Sequence, residues 1–219
     1  MRDRYLKQLK LVHDDLLRMG SRVEHALADS MRALATWDTN LAQQVVVGDL
    51  EIDTARTEIE EAVLELLATQ QPVLATDLRT LNATIAIVGE LERNGDYAKG
   101  IAKRVGRCLR APALLDPPAG LYRMGTLAQS MLHTSLDAFV RLDVALARSL
   151  AVEDERVDQL EDHVVAELMN AARQDPVKLD CTIYLLDVAH TLERLADRTT
   201  NIAERVIFIA TNVVEQLNA

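Results

Sequence analysis

The chain has 219 residues, 34 of them acidic and 24 basic, giving a formal net charge of −10. Such a surplus of negative charge excludes nucleic acid as a partner, because phosphate contacts need clustered Lys and Arg. Hydrophobic residues make up 49% of the chain but aromatics only 3%, so the core must be built from Leu, Ile, Val, Ala and Met, which suits long packed helices rather than sandwiches or barrels.

The first predicted helix carries Tyr5, Leu9, Val12, Leu16, Met19, Val23, Ala26, Ser30 and Ala33 at alternating steps of four and three. That heptad spacing keeps one stripe turned toward its neighbours, with the left-handed crossing of a bundle. Trp37 to Asn40 offers an N-cap before the second helix, whose stripe is Leu41, Val45, Gly48, Ile52, Ala55, Ile59, Ala62 and Leu66. Gln70 to Pro72 ends that helix and opens the third, with Pro near its first turn. The third helix has two adjacent stripes: Ile87, Leu91, Asn94, Ala98, Ile101 and Val105 beside Ile85, Val88, Glu92 and Gly95. A helix with two stripes packs against two neighbours, as in a three-helix bundle.

Ala111 to Gly120 gathers three prolines and a glycine, the strongest linker signal in the chain. Residues 1–111 are therefore expected to form one three-helix bundle, 112–120 the linker and 121–219 a second bundle. In the second half a helix is predicted from about Leu121 to Leu150 and another from about Glu153 to Arg173. Gln174 to Pro176 breaks the chain again. A last helix then carries Val188, Leu192, Leu195, Thr199, Ile202, Val206, Ile209 and Val213. The predicted fold is all-α, six long helices in two tandem pseudo-symmetric three-helix bundles. No uncharged apolar run approaches the roughly 20 residues of a membrane span, and the N-terminus lacks a signal-type apolar stretch. A cytoplasmic protein is expected, with Cys108 and Cys181 reduced.

The fifteen residues from Leu91 to Val105 and from Leu192 to Val206 agree at eight positions, which indicates a duplicated helical unit. Both copies keep an acidic pair at i and i+4, Glu92/Asp96 and Glu193/Asp197. The preceding helices carry Asp49/Asp53 and Asp154/Asp158. Like charges at that spacing are neighbours on one helix face and cost about 0.2–0.5 kcal/mol per pair. In an antiparallel hairpin, residues equidistant from the turn lie side by side. Asp49 and Glu92 are equidistant from the Gln70–Pro72 break, and Asp154 and Glu193 from a point beside the Gln174–Pro176 break. Four carboxylates are thus expected to converge in each half, as partly exposed groups at the edge of the apolar stripes.

Two readings of these clusters are open. Oxygen-only ligation suits hard cations such as Mg²⁺, Mn²⁺ or iron. Alternatively, Arg56, Arg93, Arg156 and Arg194 neutralise the carboxylates as a salt-bridged face. Catalysis is poorly supported. Di-iron bundle enzymes use Glu-x-x-His on two helices, whereas the one acid-x-x-His pair here is Asp187–His190. His13, His25, His133 and His163 fall singly and are expected to face solvent or fill gaps. Gly95 and Gly100 are expected to mark close helix packing.

At these residues the chain resembles the PhoU family of phosphate-signalling regulators. The signature reads Glu92-Arg-Asn-Gly-Asp96 in the first copy and Glu193-Arg-Leu-Ala-Asp197 followed by Asn201-Ile-Ala203 in the second. The segment Gln71-Pro-Val-Leu-Ala-Thr-Asp-Leu-Arg79 and the ending Arg205-Val-Ile-Phe208 are also similar to the family's pattern. The resemblance covers nearly the whole chain. It implies a cytoplasmic, non-enzymatic adaptor that represses the phosphate regulon. Its implied partners are the phosphate ABC transporter, through the ATPase subunit, and the regulon's sensor histidine kinase; a homodimer is the implied assembly. Some members hold multinuclear iron or zinc at the acidic motifs and others are metal-free. The ligand set carried over is Asp49, Asp53, Glu92, Asp96, Asp154, Asp158, Glu193 and Asp197. The sequence departs from the pattern at Gly100, where Asn is usual, at Ala196, where Gly is usual, and at Arg198, which adds a positive charge beside Asp197. Alternatives are a carboxylate-rich metalloenzyme or iron-storage bundle, and an accessory of a low-affinity phosphate permease.

Overall fold

The computed structural model describes residues 2–69 and 73–218 and contains six long helices and one short 3₁₀ turn. In chain order these are α1 (Arg2–Thr36), α2 (Thr39–Thr69), α3 (Ala75–Cys108), α4 (Ala119–Arg141), α5 (Val144–Gln174), the 3₁₀ turn Pro176–Lys178 and α6 (Leu179–Thr211). There is no strand among the described residues, and no helix there is long and apolar enough to cross a membrane. The expected turn at Gln70–Pro72 lies outside the described residues.

α1 buries more than its single expected stripe. Tyr5, Val12, Leu16, Met19, Val23, Ser30 and Ala33 are buried as expected, and Gly20, Leu27 and Leu34 add a second buried row. In α2 the buried row shifts by one residue from the expected one, taking Ala42, Asp49 and Val63 instead of Leu41, Gly48 and Ala62. The last stripe ends early: Asn212 turns left-handed at φ 63° and leaves Val213 exposed beyond α6.

Each half closes as a trio, α1–α2–α3 and α4–α5–α6, and the trios meet along two seams, α3 on α6 and α1 on α4. The helices cross antiparallel at both seams. Arg104 bonds Asp187, and Arg198 Nη1 lies 3.5 Å from Glu90; Arg107 covers the Tyr184 ring and Arg194 the Tyr97 ring. Cys108 and Cys181 meet here as buried free thiols, with the Cys108 Sγ–H donating to the Cys181 carbonyl at 3.7 Å. On the other seam, the missing side chain of Gly20 admits Leu136 of α4, and that of Gly125 admits Met31 of α1. A Cβ at either glycine would sit 2.6 Å from the entering side chain, closer than carbon atoms approach. One hydrophobic core runs through all six helices.

The boundary between α4 and α5 corrects the sequence reading. The helix expected to run to about Leu150 stops at Arg141, and the next begins at Val144 rather than near Glu153. Leu142 turns left-handed at φ 51°, and the Asp143 carboxylate accepts a hydrogen bond from the Leu146 N–H at 3.0 Å. The cap satisfies an orphan donor and offsets the roughly 1–2 kcal/mol that a left-handed leucine costs. The same device turns α1 into α2: Trp37 has φ 55°, and Asp38 accepts from the N–H groups of Asn40 and Leu41 at 2.9 and 3.0 Å. Asp175 caps the 3₁₀ turn at the expected second break by accepting from the Val177 N–H at 3.3 Å.

Two acidic clusters on the helical hairpins

The sequence places all eight carboxylates on the flank of a hairpin, α2–α3 or α5–α6. The structure brings each set of four together, but one helical turn out of the expected register. Lys99 bonds both Asp49 and Asp96, and Arg56 Nη1 lies 3.1 Å from Glu92, so Asp49 is level with Asp96 rather than with Glu92. In the second hairpin Asp197 is the strongest charged neighbour of Asp154, and His190 stands 3.4 Å from Glu161. The reason is the position of the turns. α2 ends at Thr69 and α3 starts at Ala75, so the pivot lies later than the residue count to Glu92 assumed.

Burial also differs from expectation. Asp49 and Asp154 are not edge residues: they are 4% and 7% exposed, in line with the apolar rows of α2 and α5. Asp53, Glu92, Glu193 and Asp197 are half-buried, while Asp96 and Asp158 are exposed. Each cluster therefore has one carboxylate sunk at its floor and three around it.

The first cluster carries its own cations. The Lys99 ammonium donates to Asp49 and, at 3.3 Å, to Asp96; Arg56 bridges Glu92 and, at 2.9 Å, Glu60. Burial raises the pKa of Asp49, but the hydrogen bond and charge of Lys99 act against that rise. The bond to Asp49 in turn raises the pKa of Lys99, which keeps the ammonium charged. Of the four arginines expected to neutralise the clusters, Arg56 does so. Arg156 pairs with Glu153 at 2.7 Å, Arg194 lies over Tyr97, and Arg93 is exposed.

The second cluster has no such partners among the described residues. The residue in the place of Lys99 is Thr200, whose hydroxyl donates to the Asp197 carbonyl at 2.8 Å, and the residue in the place of Arg56 is Glu161. Arg198 does not fill the gap, since its guanidinium turns across the seam toward Glu90. Asp154 is consequently pushed up to about 7, by burial first and then by Asp197, Asp158 and Glu193. Asp158 and Glu193 are raised as well, each chiefly by burial and next by Asp197. One oxygen of Asp154 and one of Glu193 are buried without a hydrogen-bond partner. From outside, the Asn218 amide donates to Asp197 at 3.1 Å.

A metal ion fits these two sets differently. In the first, the Lys99 ammonium already lies between the carboxylates that would ligate an ion. In the second, Asp154 and Glu193 each keep one buried oxygen without a hydrogen-bond partner among the described residues, and the His190 imidazole stands 3.7 Å from that of Glu193. Glu161, His190 and Glu193 each offer a ligand atom, and these atoms lie within 4.8 Å of one another. The sequence reading missed Lys99 and Glu161, and set His190 aside together with Asp187. The signal was in the aligned repeats, where Lys99 faces Thr200 and Arg56 faces Glu161. Asp187, the acid of the acid-x-x-His pair, is engaged by Arg104 and leaves His190 to the glutamates.

The remaining histidines are single, as expected. His13 is half-buried edge-on to Phe139, and His133 bonds Glu24 at 2.9 Å. His25 and His163 bond backbone carbonyls of their own helices. Gly95 marks a close approach, since a Cβ there would lie 3.0 Å from Ile52, whereas Gly100 faces open space, contrary to expectation. Ala196 replaces Gly95 in the second half, opposite Val157 in place of Ile52, so a methyl group added on one helix is removed from the other.

Comparison with known proteins agrees with this architecture. The PhoU domain model matches residues 16–105 and again 121–206. A phosphate-specific transport system accessory protein PhoU homolog from Clostridium acetobutylicum is 39% identical over 210 residues, covering 96% of this chain and 95% of that one. The accessory protein PhoU of Escherichia coli is 31% identical over 204 residues, covering 92% and 83%. The crystal structure of PhoU from Pseudomonas aeruginosa superimposes with a TM-score of 0.88 at 33% identity, over 95% of this chain and all of that one. With the domain model matched twice and relatives aligned over almost their full length, the chain belongs to the PhoU family.

Proposed function

We propose that the chain is a non-enzymatic accessory regulator of phosphate transport, which represses phosphate-scavenging genes when phosphate is plentiful. In this reading it acts in the cytoplasm by contacting the ATPase subunit of the phosphate ABC transporter and the sensor histidine kinase of the regulon. The observation that carries it is the near full-length match to proteins named phosphate-specific transport system accessory proteins. The fold supports it: α3, α6, α1 and α4 are used in the seams, while α2 and α5 leave Val47, Leu50, Leu64, Val152 and Met169 exposed, with Val47, Leu50 and Val152 within two residues of Asp49 and Asp154 in the chain. Deleting the gene is expected to switch those genes on in high phosphate; unchanged repression sinks the reading. A pull-down from membranes distinguishes the high-affinity transporter and its kinase from a low-affinity permease by what co-purifies.

A second reading concerns the eight motif carboxylates, Asp49, Asp53, Glu92, Asp96, Asp154, Asp158, Glu193 and Asp197, as ligands for iron, zinc, Mg²⁺ or Mn²⁺. The unpartnered oxygens of Asp154 and Glu193 favour it. Metal analysis of protein purified without chelator, beside Asp96→Ala and Asp197→Ala, tests it. Turnover in a ferroxidase assay, abolished by the same substitutions, would favour the metalloenzyme or storage alternative instead.

A further inference from the structure

We propose that the duplicated motif has split into two kinds of cation site: Lys99 is the resident counter-cation of the first half, and only the second half takes a metal ion, with Glu161 and His190 as added ligands. This rests on the metal reading above and narrows it to one half and a different donor set.

The first half supplies the negative part of the argument. Lys99 is anchored to Asp49 and Asp96, and its side chain is only 27% exposed. An ion entering between those carboxylates would have to expel an ammonium that already neutralises the buried one. It would also meet Arg56, held by Glu92 and Glu60. Two like charges a few ångströms apart in a partly buried setting repel more strongly than they would in water.

The second half supplies the positive part. Across the α5–α6 hairpin Asp197 is the strongest charged neighbour of both Asp154 and Asp158, and further along His190 stands 3.4 Å from Glu161. Asp154 is more than nine-tenths buried with its Oδ1 lacking a hydrogen-bond partner among the described residues, and the buried Oε2 of Glu193, beside His190, lacks one as well. An unpaired buried carboxylate oxygen costs free energy that a cation would recover. His190 lies 3.4 Å from Glu161 and 3.7 Å from Glu193, and is 64% exposed, so the end of the set farthest from Asp154 is open to an entering ion. An imidazole nitrogen beside carboxylates suits Zn²⁺, Mn²⁺ or Fe²⁺ and disfavours Mg²⁺ and Ca²⁺, which prefer oxygen alone. The first half has Gly89 where His190 stands, and so has no nitrogen donor at that height.

The test is binding of Zn²⁺ and Mn²⁺ to the full chain after chelation and desalting, read by calorimetry and by native mass spectrometry. One class of site per chain is expected for zinc. His190→Ala and Glu161→Gln should each weaken zinc at least tenfold while Mn²⁺ falls less. The double variant Lys99→Thr/Arg56→Glu, which removes both cations of the first half but leaves Gly89 in the place of His190, should gain a further site at least tenfold weaker for zinc; circular dichroism checks that it folds. Two equivalent sites in the wild type, or zinc binding indifferent to His190→Ala, overturn the inference while leaving the metal reading standing. No binding to the wild type or to the double variant removes both.

Discussion

The α2–α3 and α5–α6 hairpins present the same acidic motifs at corresponding heights on the same scaffold, yet they handle the resulting repulsion in opposite ways. In the first, Lys99 and Arg56 are threaded among the carboxylates. In the second, Thr200 and Glu161 take those places and leave the carboxylates uncompensated, with Asp154 raised to about 7. The difference shows that a repeat can conserve the side chains that define a motif while its charge balance is set by positions one turn away. Motif matching alone would have treated the two halves as equivalent.

The comparison breaks most visibly at Lys99. Lys99→Ala strands the buried Asp49 carboxylate, and losing one partner of a buried pair costs about 3 kcal/mol. Thr200→Ala in the same position of the second half is expected to cost under about 1 kcal/mol, since it removes a hydroxyl bonded within its own helix. Urea unfolding of the two variants measures the contrast, and equal losses would contradict it.

Neutralising the floor residue should have opposite signs in the two halves. Asp49→Asn leaves Lys99 without its main partner and destabilises, whereas Asp154→Asn in chelated protein at pH 8 stabilises by about 2 kcal/mol. The pH dependence follows from the direction of the shift. Asp154 titrates higher folded than unfolded, so between about pH 4 and 7 the folded chain holds the extra proton. Its contribution to stability is greatest at the acid end and falls as the pH rises to about 7. Melting temperatures of chelated wild type should therefore drop across this window more steeply than those of Asp154→Asn. A parallel pair of curves would remove Asp154 from the account.

Two smaller changes sharpen the comparison in the core. Asn94 is fully buried with neither side-chain atom bonded, and its counterpart in the second half is Leu195. Asn94→Leu is expected to stabilise by about 1 kcal/mol in denaturant unfolding, as an unsatisfied amide is replaced by an apolar group. Smallest of all, Gly95→Ala should change stability by less than about 0.5 kcal/mol, because its helix propensity gain opposes crowding against Ile52. Ile52→Val should then cost less in the Gly95→Ala background than in wild type. A double-mutant cycle with no coupling would show that the two positions do not compensate.

Much of this was legible in the chain. Steps of four and three along α1 and α6 gave the helices, and the repeat gave the duplicated hairpins, because side-chain periodicity reports directly on which face is buried. The α4–α5 turn was hidden because it contains neither glycine nor proline. Leu142 takes a conformation its type disfavours, and Asp143 reveals itself only when aligned with Asp38. The clusters were found but their internal pairing was not. Counting residues from a turn fixes heights only to within a helical turn, and that margin separates a carboxylate beside Glu92 from one beside Lys99. His190 was set aside because its neighbour in sequence was judged, when its neighbours in space are Glu161 and Glu193.

Gly20 receives Leu136 and Gly125 receives Met31 at positions related by the same internal offset as the acidic pairs of α2 and α5. The seam is thus an isologous joint, of the kind by which identical subunits close a two-fold dimer, formed here within one polypeptide. A ten-residue tether from Leu109 to Pro118 holds its two faces at an effective concentration on the order of millimolar. The joint can therefore persist with an intrinsic affinity too weak for separate subunits to find each other in dilute solution. Each half is left free to change its chemistry, as the two clusters have, without losing its mate.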